Sequence, residues 1–168
     1  MAEALSLNVV LKMVGTLANA LDLSTPVDAF SVDYTKAFAS GTGINQANMI
    51  WHDQRTLTAS AAETLDLAGT LTSCFGTSIV FTAIKGILVV ASSSNTNDVQ
   101  VTRPASEGVT VFLAAADGLS VRPGGIFLWV DPTAAGVTVT AATSDDLTFT
   151  NSAGATSVVF DVWFWGEV

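Results

Sequence analysis

The sequence predicts an all-β fold, a jelly-roll-like antiparallel β-sandwich with an N-terminal β arm or hairpin, on three observations. Apolar residues recur at every second position in run after run, the period of a strand with one buried face. Clusters of Gly, Pro, Asn and Asp separate these runs, about every 8–14 residues from residue 79 onward, the spacing of sandwiches and Greek-key rolls. No convincing helical period appears after residue 22.

The first run is Leu5, Leu7, Val9, Leu11 and Met13, with Ser6, Asn8 and Lys12 among the intervening positions. Leu5, Val9, Met13 and Leu17 also recur at helical spacing. A helix over residues 4–21, however, would have to bury Leu5, Leu7, Val9, Val10 and Leu11 all round and carry Gly15 in its interior, so period two fits better. Phe30, Val32, Tyr34 and Phe38 then alternate with Ser31, Asp33, Thr35 and Ala37. Ser40-Gly41-Thr42-Gly43 reads as a hinge, which makes residues 1–44 an arm or hairpin against a sandwich of residues 45–168, unless the chain is one continuous domain.

Within the sandwich, Met49, Trp51 and Asp53 alternate with Ile50, His52 and Gln54. Residues 79–91 are apolar on both faces, with Ile79, Phe81, Ile87 and Val89 on one and Val80, Ile84, Leu88 and Val90 on the other, which predicts a central strand. Half-buried strands follow at Val99, Val101 and Arg103, at Val109, Val111 and Leu113, at Val137, Val139 and Ala141, and at Leu147 and Phe149. Residues 158–165 form a last central strand with Asp161 as its only charge. Among the turns, Pro123-Gly124-Gly125 supplies a preset φ and then a residue free to take positive φ, as a type II turn requires. Asn95-Thr96-Asn97-Asp98, Asp131-Pro132, Ser144-Asp145-Asp146 and Asn151-Ser152-Ala153-Gly154 are comparable breaks.

Composition narrows the function. The 168 residues hold six Lys plus Arg against fifteen Asp plus Glu, a net charge of −9, which argues against nucleic acid and anionic membranes as partners. Only 12% of residues are charged while 49% are apolar, and the mean hydropathy is +0.51. Either Ser and Thr cover that surplus or other chains bury it. Residues 79–91 are too short to span a bilayer as a helix and carry Lys85, and the first twenty residues lack the pattern of a signal peptide. The expectation is a soluble protein made in a cytoplasm.

Few residues invite chemistry. His52 and Asp53 are neighbours on a strand, so their side chains point to opposite faces. Cys74, the single cysteine, has no nearby His, Lys or Arg in sequence to activate it, and it excludes an intrachain disulfide. One histidine and one cysteine cannot complete the usual zinc or copper sets. Asp145-Asp146 and the Asn95, Asn97, Asp98 group lack the closing Glu of a calcium loop and read as turn chemistry. Ser40-Gly41-Thr42-Gly43 lacks the Gly-Lys-Ser/Thr of a phosphate loop. Along residues 158–165, Phe160 and Phe164 point inward while Trp163 and Trp165 share the opposite face, packing on a neighbouring element or subunit rather than stacking on a sugar. Trp163, Trp165 and Trp129 are the candidate interface residues, and no catalytic, cofactor-binding or metal-binding residue is expected.

Asn45-Gln46-Ala47-Asn48, Trp51-His52-Asp53-Gln54-Arg55-Thr56-Leu57, Leu65-Asp66-Leu67-Ala68-Gly69, Phe75-Gly76, Phe81 with Ile84-Lys85, Asn95-Thr96-Asn97, Val121-Arg122-Pro123-Gly124-Gly125 and Asn151-Ser152-Ala153-Gly154 together resemble small virion structural proteins of tailed bacteriophages, most of all head decoration proteins. The resemblance runs over about two thirds of the chain, through turn and packing signatures rather than catalytic ones. It implies a jelly-roll-like subunit assembled in several copies, commonly as a homotrimer, on the major capsid protein lattice at the virion surface. It also implies that Arg55, Asp66 and Arg122 are polar positions paired within the subunit, with the pairing left open. The expected function is therefore non-enzymatic stabilisation of the shell. The alternative is a tail or fibre module that binds a receptor or glycan through Trp163, Trp165 or the 131–136 loop; a hydrolase is remote because no triad or carboxylate pair is identifiable.

Overall fold

Period two becomes β-structure at most of the expected places. The computed structural model describes residues 4–69 and 71–168, and among these it holds thirteen strands and no helix. β1 (Leu7–Ala18) and β2 (Val27–Phe38) pair antiparallel from Leu7↔Phe38 to Ala18↔Val27. At 12 residues per strand this two-stranded ribbon is about 40 Å long.

The remaining chain builds a sandwich. β3 (Met49–Leu57), β7 (Ala83–Ala91), β10 (Ile126–Val130) and β13 (Val158–Glu167) form one sheet in the order β10-β7-β13-β3, with β11 (Val137–Thr138) also paired to β7. β4 (Ala62–Asp66), β8 (Val99–Thr102), β9 (Gly118–Val121) and β12 (Asp146–Asn151) form the second, in the order β4-β12-β8-β9. β5 (Leu71–Thr72) and β6 (Ser78–Ile79) make a small separate hairpin. Each large sheet interleaves strands made early in the chain with strands made late, and all the strand pairs are antiparallel.

The main core lies between the two sheets. Trp51, Ile87, Val89, Phe160, Val162 and Phe164 from the first meet Leu65, Val99, Val101, Val121, Leu147 and Phe149 from the second. Phe149 and Phe160 stack across the layers at 5.0 Å between ring centroids. The alternation along β13 shows the inward set directly: Val158, Phe160, Val162 and Phe164 are buried, with half-buried residues between them.

Three expected strands differ. Residues 109–113 are a loop, because the Arg103 guanidinium donates to the carbonyl oxygens of Gly108, Phe112 and Leu113 and draws the chain into a curl. The run at 79–91 is divided, with β6 ending at Ile79 and β7 starting at Ala83. Between them Phe81 N–H donates to Leu67 and Thr82 N–H to Glu167, so the chain crosses from one pairing to another. The strand expected over 137–141 shrinks to Val137–Thr138. At the predicted type II turn, Gly124 takes φ 73° and Gly125 N–H donates to the Arg122 carbonyl at 2.7 Å.

The segment read as a hinge is tied at several points. Gly43 N–H donates to Gln46 Oε1, Asn45 N–H donates to the Pro132 carbonyl, and Ala39 and Gln46 form a bridge. Lys85, fully buried, donates from Nζ to the Gly43 carbonyl at 2.9 Å and lies 2.6 Å from Glu167 Oε1.

Candidate interaction surface

In an antiparallel ribbon, residues directly opposite one another share a face. The pairs Leu11↔Tyr34, Met13↔Val32, Gly15↔Phe30 and Leu17↔Asp28 therefore line one side of the arm, and Val10↔Thr35, Lys12↔Asp33, Val14↔Ser31 and Thr16↔Ala29 line the other. The first side is strongly apolar and the second mixed. The apolar side is also open to solvent, since Leu11 is 53% exposed, Met13 53% and Leu17 71%. Phe30 lays its ring on Gly15, so closely that a Cβ there would sit 2.5 Å from Phe30 Cζ.

Only the base of this apolar side is covered. Leu7, Val9 and Phe38 pack with Trp165, Ala47, Ile50, Leu88, Leu128 and Val130, a second hydrophobic cluster on the outer face of the β10-β7-β13-β3 sheet. Trp165 lies over Gly86, where no side chain would fit beneath the ring. The outer face then continues past the arm through Trp163, Val90 and Ile126, the last 67% exposed, with Asp161 opposite Val90 and hydrogen-bonded to Gln54. An uncovered apolar side of the arm and a mixed, partly apolar stretch of sheet thus flank one finished contact.

The structure separates the three tryptophans read as interface residues. Trp163 lies on the outer face, half-buried, its ring stacked against His52 at 6.4 Å. Trp165 shares that face but is buried by the arm of its own chain. Trp129 points the other way and packs against the main core. The exposed apolar side of the arm was the surface that sequence reasoning did not single out, although the alternation of β1 and β2 displays it.

The residues weighed for chemistry are held in separate contacts, although His52, Asp53 and Cys74 border one groove. His52 stacks on Trp163, while Asp53 on the opposite side of β3 binds Arg55 at 3.3 Å. Arg55 also meets Glu63 at 3.3 Å and lies over the Trp51 ring. Asp66 accepts the Ala68 N–H, and Arg122 has no ion pair among the described residues. Cys74 is exposed in the turn between β5 and β6. Asn95 donates to the Val159 carbonyl and accepts from Val159 N–H, and Asn97 binds Asn151 and the Thr156 carbonyl, so both serve as turn clasps. In the 131–136 loop, Asp131 Oδ1 accepts Thr133 N–H and the Thr133 hydroxyl accepts Gly136 N–H. Burial, and then the charges of Asp145, Asp66 and Glu107, hold the Asp146 carboxyl above its usual range. No group of three or more metal-ligating side chains stands together among the described residues. An open groove of about 350 Å3 beside β3 is lined by Leu5, Ile50, His52, Asp53, Ser73, Cys74 and Phe75 among others, and among the described residues no hydrogen bond or ion pair links His52 to Asp53 or Cys74 there.

The chain matches no family model, no curated protein and no solved structure.

Proposed function

We propose that the chain is a non-enzymatic structural subunit of a tailed-phage particle, a head decoration protein that binds the major capsid protein lattice and stabilises the shell. The observation that carries this reading is the uncovered apolar side of the β1–β2 arm. A two-stranded ribbon has no core of its own and is marginal in water, so a ribbon this long and this apolar is completed by assembly. The strand order supports a jelly-roll subunit: counted in chain order over the eight principal strands, the first, eighth, third and sixth share one sheet and the second, seventh, fourth and fifth the other. The subunit is made in the host cytoplasm and acts on the capsid surface as a homotrimer. Repetition over many subunits multiplies a modest contact into a large stabilisation.

Incubation with empty expanded heads tests this directly. Co-sedimentation with the heads, and a rise in the temperature at which they rupture, are the expected results. Binding to host cells or to a glycan array without affinity for heads would replace this reading with the receptor-binding one, for which the half-buried Trp163 and exposed His52 offer an outward-facing stack.

A further inference from the structure

We infer that the distal apolar side of the arm docks on the outer sheet face of a second copy of this chain, over Val90, Ile126 and Trp163, so that subunits interlock by exchanging arms. The inference rests on the reading of the chain as an assembling subunit and names the partner that the arm takes.

Continuity is the first argument. The base of the arm already uses this contact within its own chain, with Leu7, Val9 and Phe38 seated on Trp165, Ile50, Leu88 and Leu128. Farther out, the same side of the ribbon carries Leu11, Met13, Val32 and Tyr34 with nothing over them. Farther along, the same sheet face carries Val90, Ile126 and Trp163 beside Asp161, whose carboxylate is held by Gln54. Within one subunit these two surfaces do not meet, because the ribbon runs past its anchor into solvent. A second copy supplies what each lacks.

Charge is the second. Residues 7–38 hold Lys12 and Lys36 against Asp22, Asp28 and Asp33, or 2 − 3 = −1, whereas residues 39–168 hold four basic and eleven acidic residues, or 4 − 11 = −7. Two sandwiches facing each other repel, and the nearly neutral arm is the element that crosses this repulsion at least cost.

Area is the third. The free part of the ribbon is about 30 Å long and 10 Å wide, so one seated arm removes roughly 600 Å2 counted over both partners, the scale of a packing contact. Closed into a homotrimer, three such contacts remove roughly 1,800 Å2 in all, and each subunit is held by two of them. A closed ring in which every subunit gives one arm and receives one, rather than a single docked arm, follows from that difference.

Sedimentation velocity on the full chain over a wide concentration range is the test, with two variants. Leu11→Thr, Met13→Thr, Val32→Thr and Tyr34→Thr together keep strand-forming residues in the arm while removing its apolar side. Val90→Thr with Ile126→Thr alters the receiving face alone. The wild type is expected to form a discrete multimer, and each variant to weaken self-association roughly 100-fold while the thermal midpoint of the sandwich is retained. In a Cys74→Ser background, a chain with Val32→Cys mixed with a chain with Val90→Cys is expected to give a mixed cross-link with a short thiol reagent. A wild type that stays monomeric throughout, or multimers that persist unchanged in both variants, would overturn the inference. A monomeric wild type that binds heads through an arm sensitive to the fourfold substitution would assign the arm to the capsid instead. Arm-dependent multimers that ignore heads would leave the exchange standing and remove the decoration function.

Discussion

Phe38 meets Trp165 edge-on, with 6.2 Å between ring centroids and 69° between ring planes, and this contact seats the arm on the sandwich. Both rings are buried, although one ends β2 and the other lies near the end of β13. Phe38→Ala removes the edge-to-face pair and leaves a void, a loss of about 3 kcal/mol. The expected outcome is faster amide hydrogen exchange across β1 and β2 with little change in β8 and β12. Equal acceleration everywhere would show that arm and sandwich unfold as one unit.

Gly86 lies beneath the Trp165 indole, and any Cβ there would overlap the ring. Gly86→Ala is expected to displace the indole and destabilise the protein by about 2 kcal/mol. Urea unfolding measures the loss, and tryptophan emission should shift to the red as Trp165 becomes wetter.

Lys85 is a charge enclosed by the first sheet and held by Glu167 and the Gly43 carbonyl. Lys85→Met strands the carboxylate of Glu167, and a cost of about 3 kcal/mol is expected. Glu167→Gln in the same chain should return part of it. A double-mutant cycle that shows strict additivity would mean that the two groups act independently.

Asp146 follows the opposite sign from a salt-bridged carboxylate. Its folded-state value lies above the ordinary 3.8, so between that value and the raised one the native state holds more protons than the unfolded state. Stability contributed by this site therefore falls as pH rises through the window and is lowest above it. Asp146→Asn is expected to raise the thermal midpoint at neutral pH, with the advantage disappearing as the medium is acidified below the ordinary carboxylate range. An advantage that persists in acid would place the effect in packing rather than charge.

The all-β class and the arm follow from alternation, because a half-buried strand writes its two faces into neighbouring residues, and the central place of β13 follows from its being apolar on both faces. The Pro123-Gly124-Gly125 turn was legible for the same local reason, since its backbone needs are met by the residues themselves. Residues 109–113 alternate equally well, yet Arg103 curls them into a loop, and a guanidinium folding back on the residues just after it leaves no trace in the spacing. Lys85 looked like a blemish in an apolar run because its partner Glu167 lies far along the chain. Trp163 and Trp165 read as equivalent, and only the path of the arm decides that one is covered and the other is not. Alternation identifies an apolar face; it carries no mark of what lies against it.

Pairings between distant parts of the chain set the order in which the protein can mature. Asn48 N–H donates to the Gly166 carbonyl and Asn48 Oδ1 accepts the Val168 N–H, a contact spanning 120 residues, and Glu167 closes on Lys85 beside the loop that follows the arm. During synthesis the ribbon leaves the ribosome early, while the strand that seats it is made at the far end of the sandwich. A chain cut short of β13 would carry the ribbon without the strand that seats it.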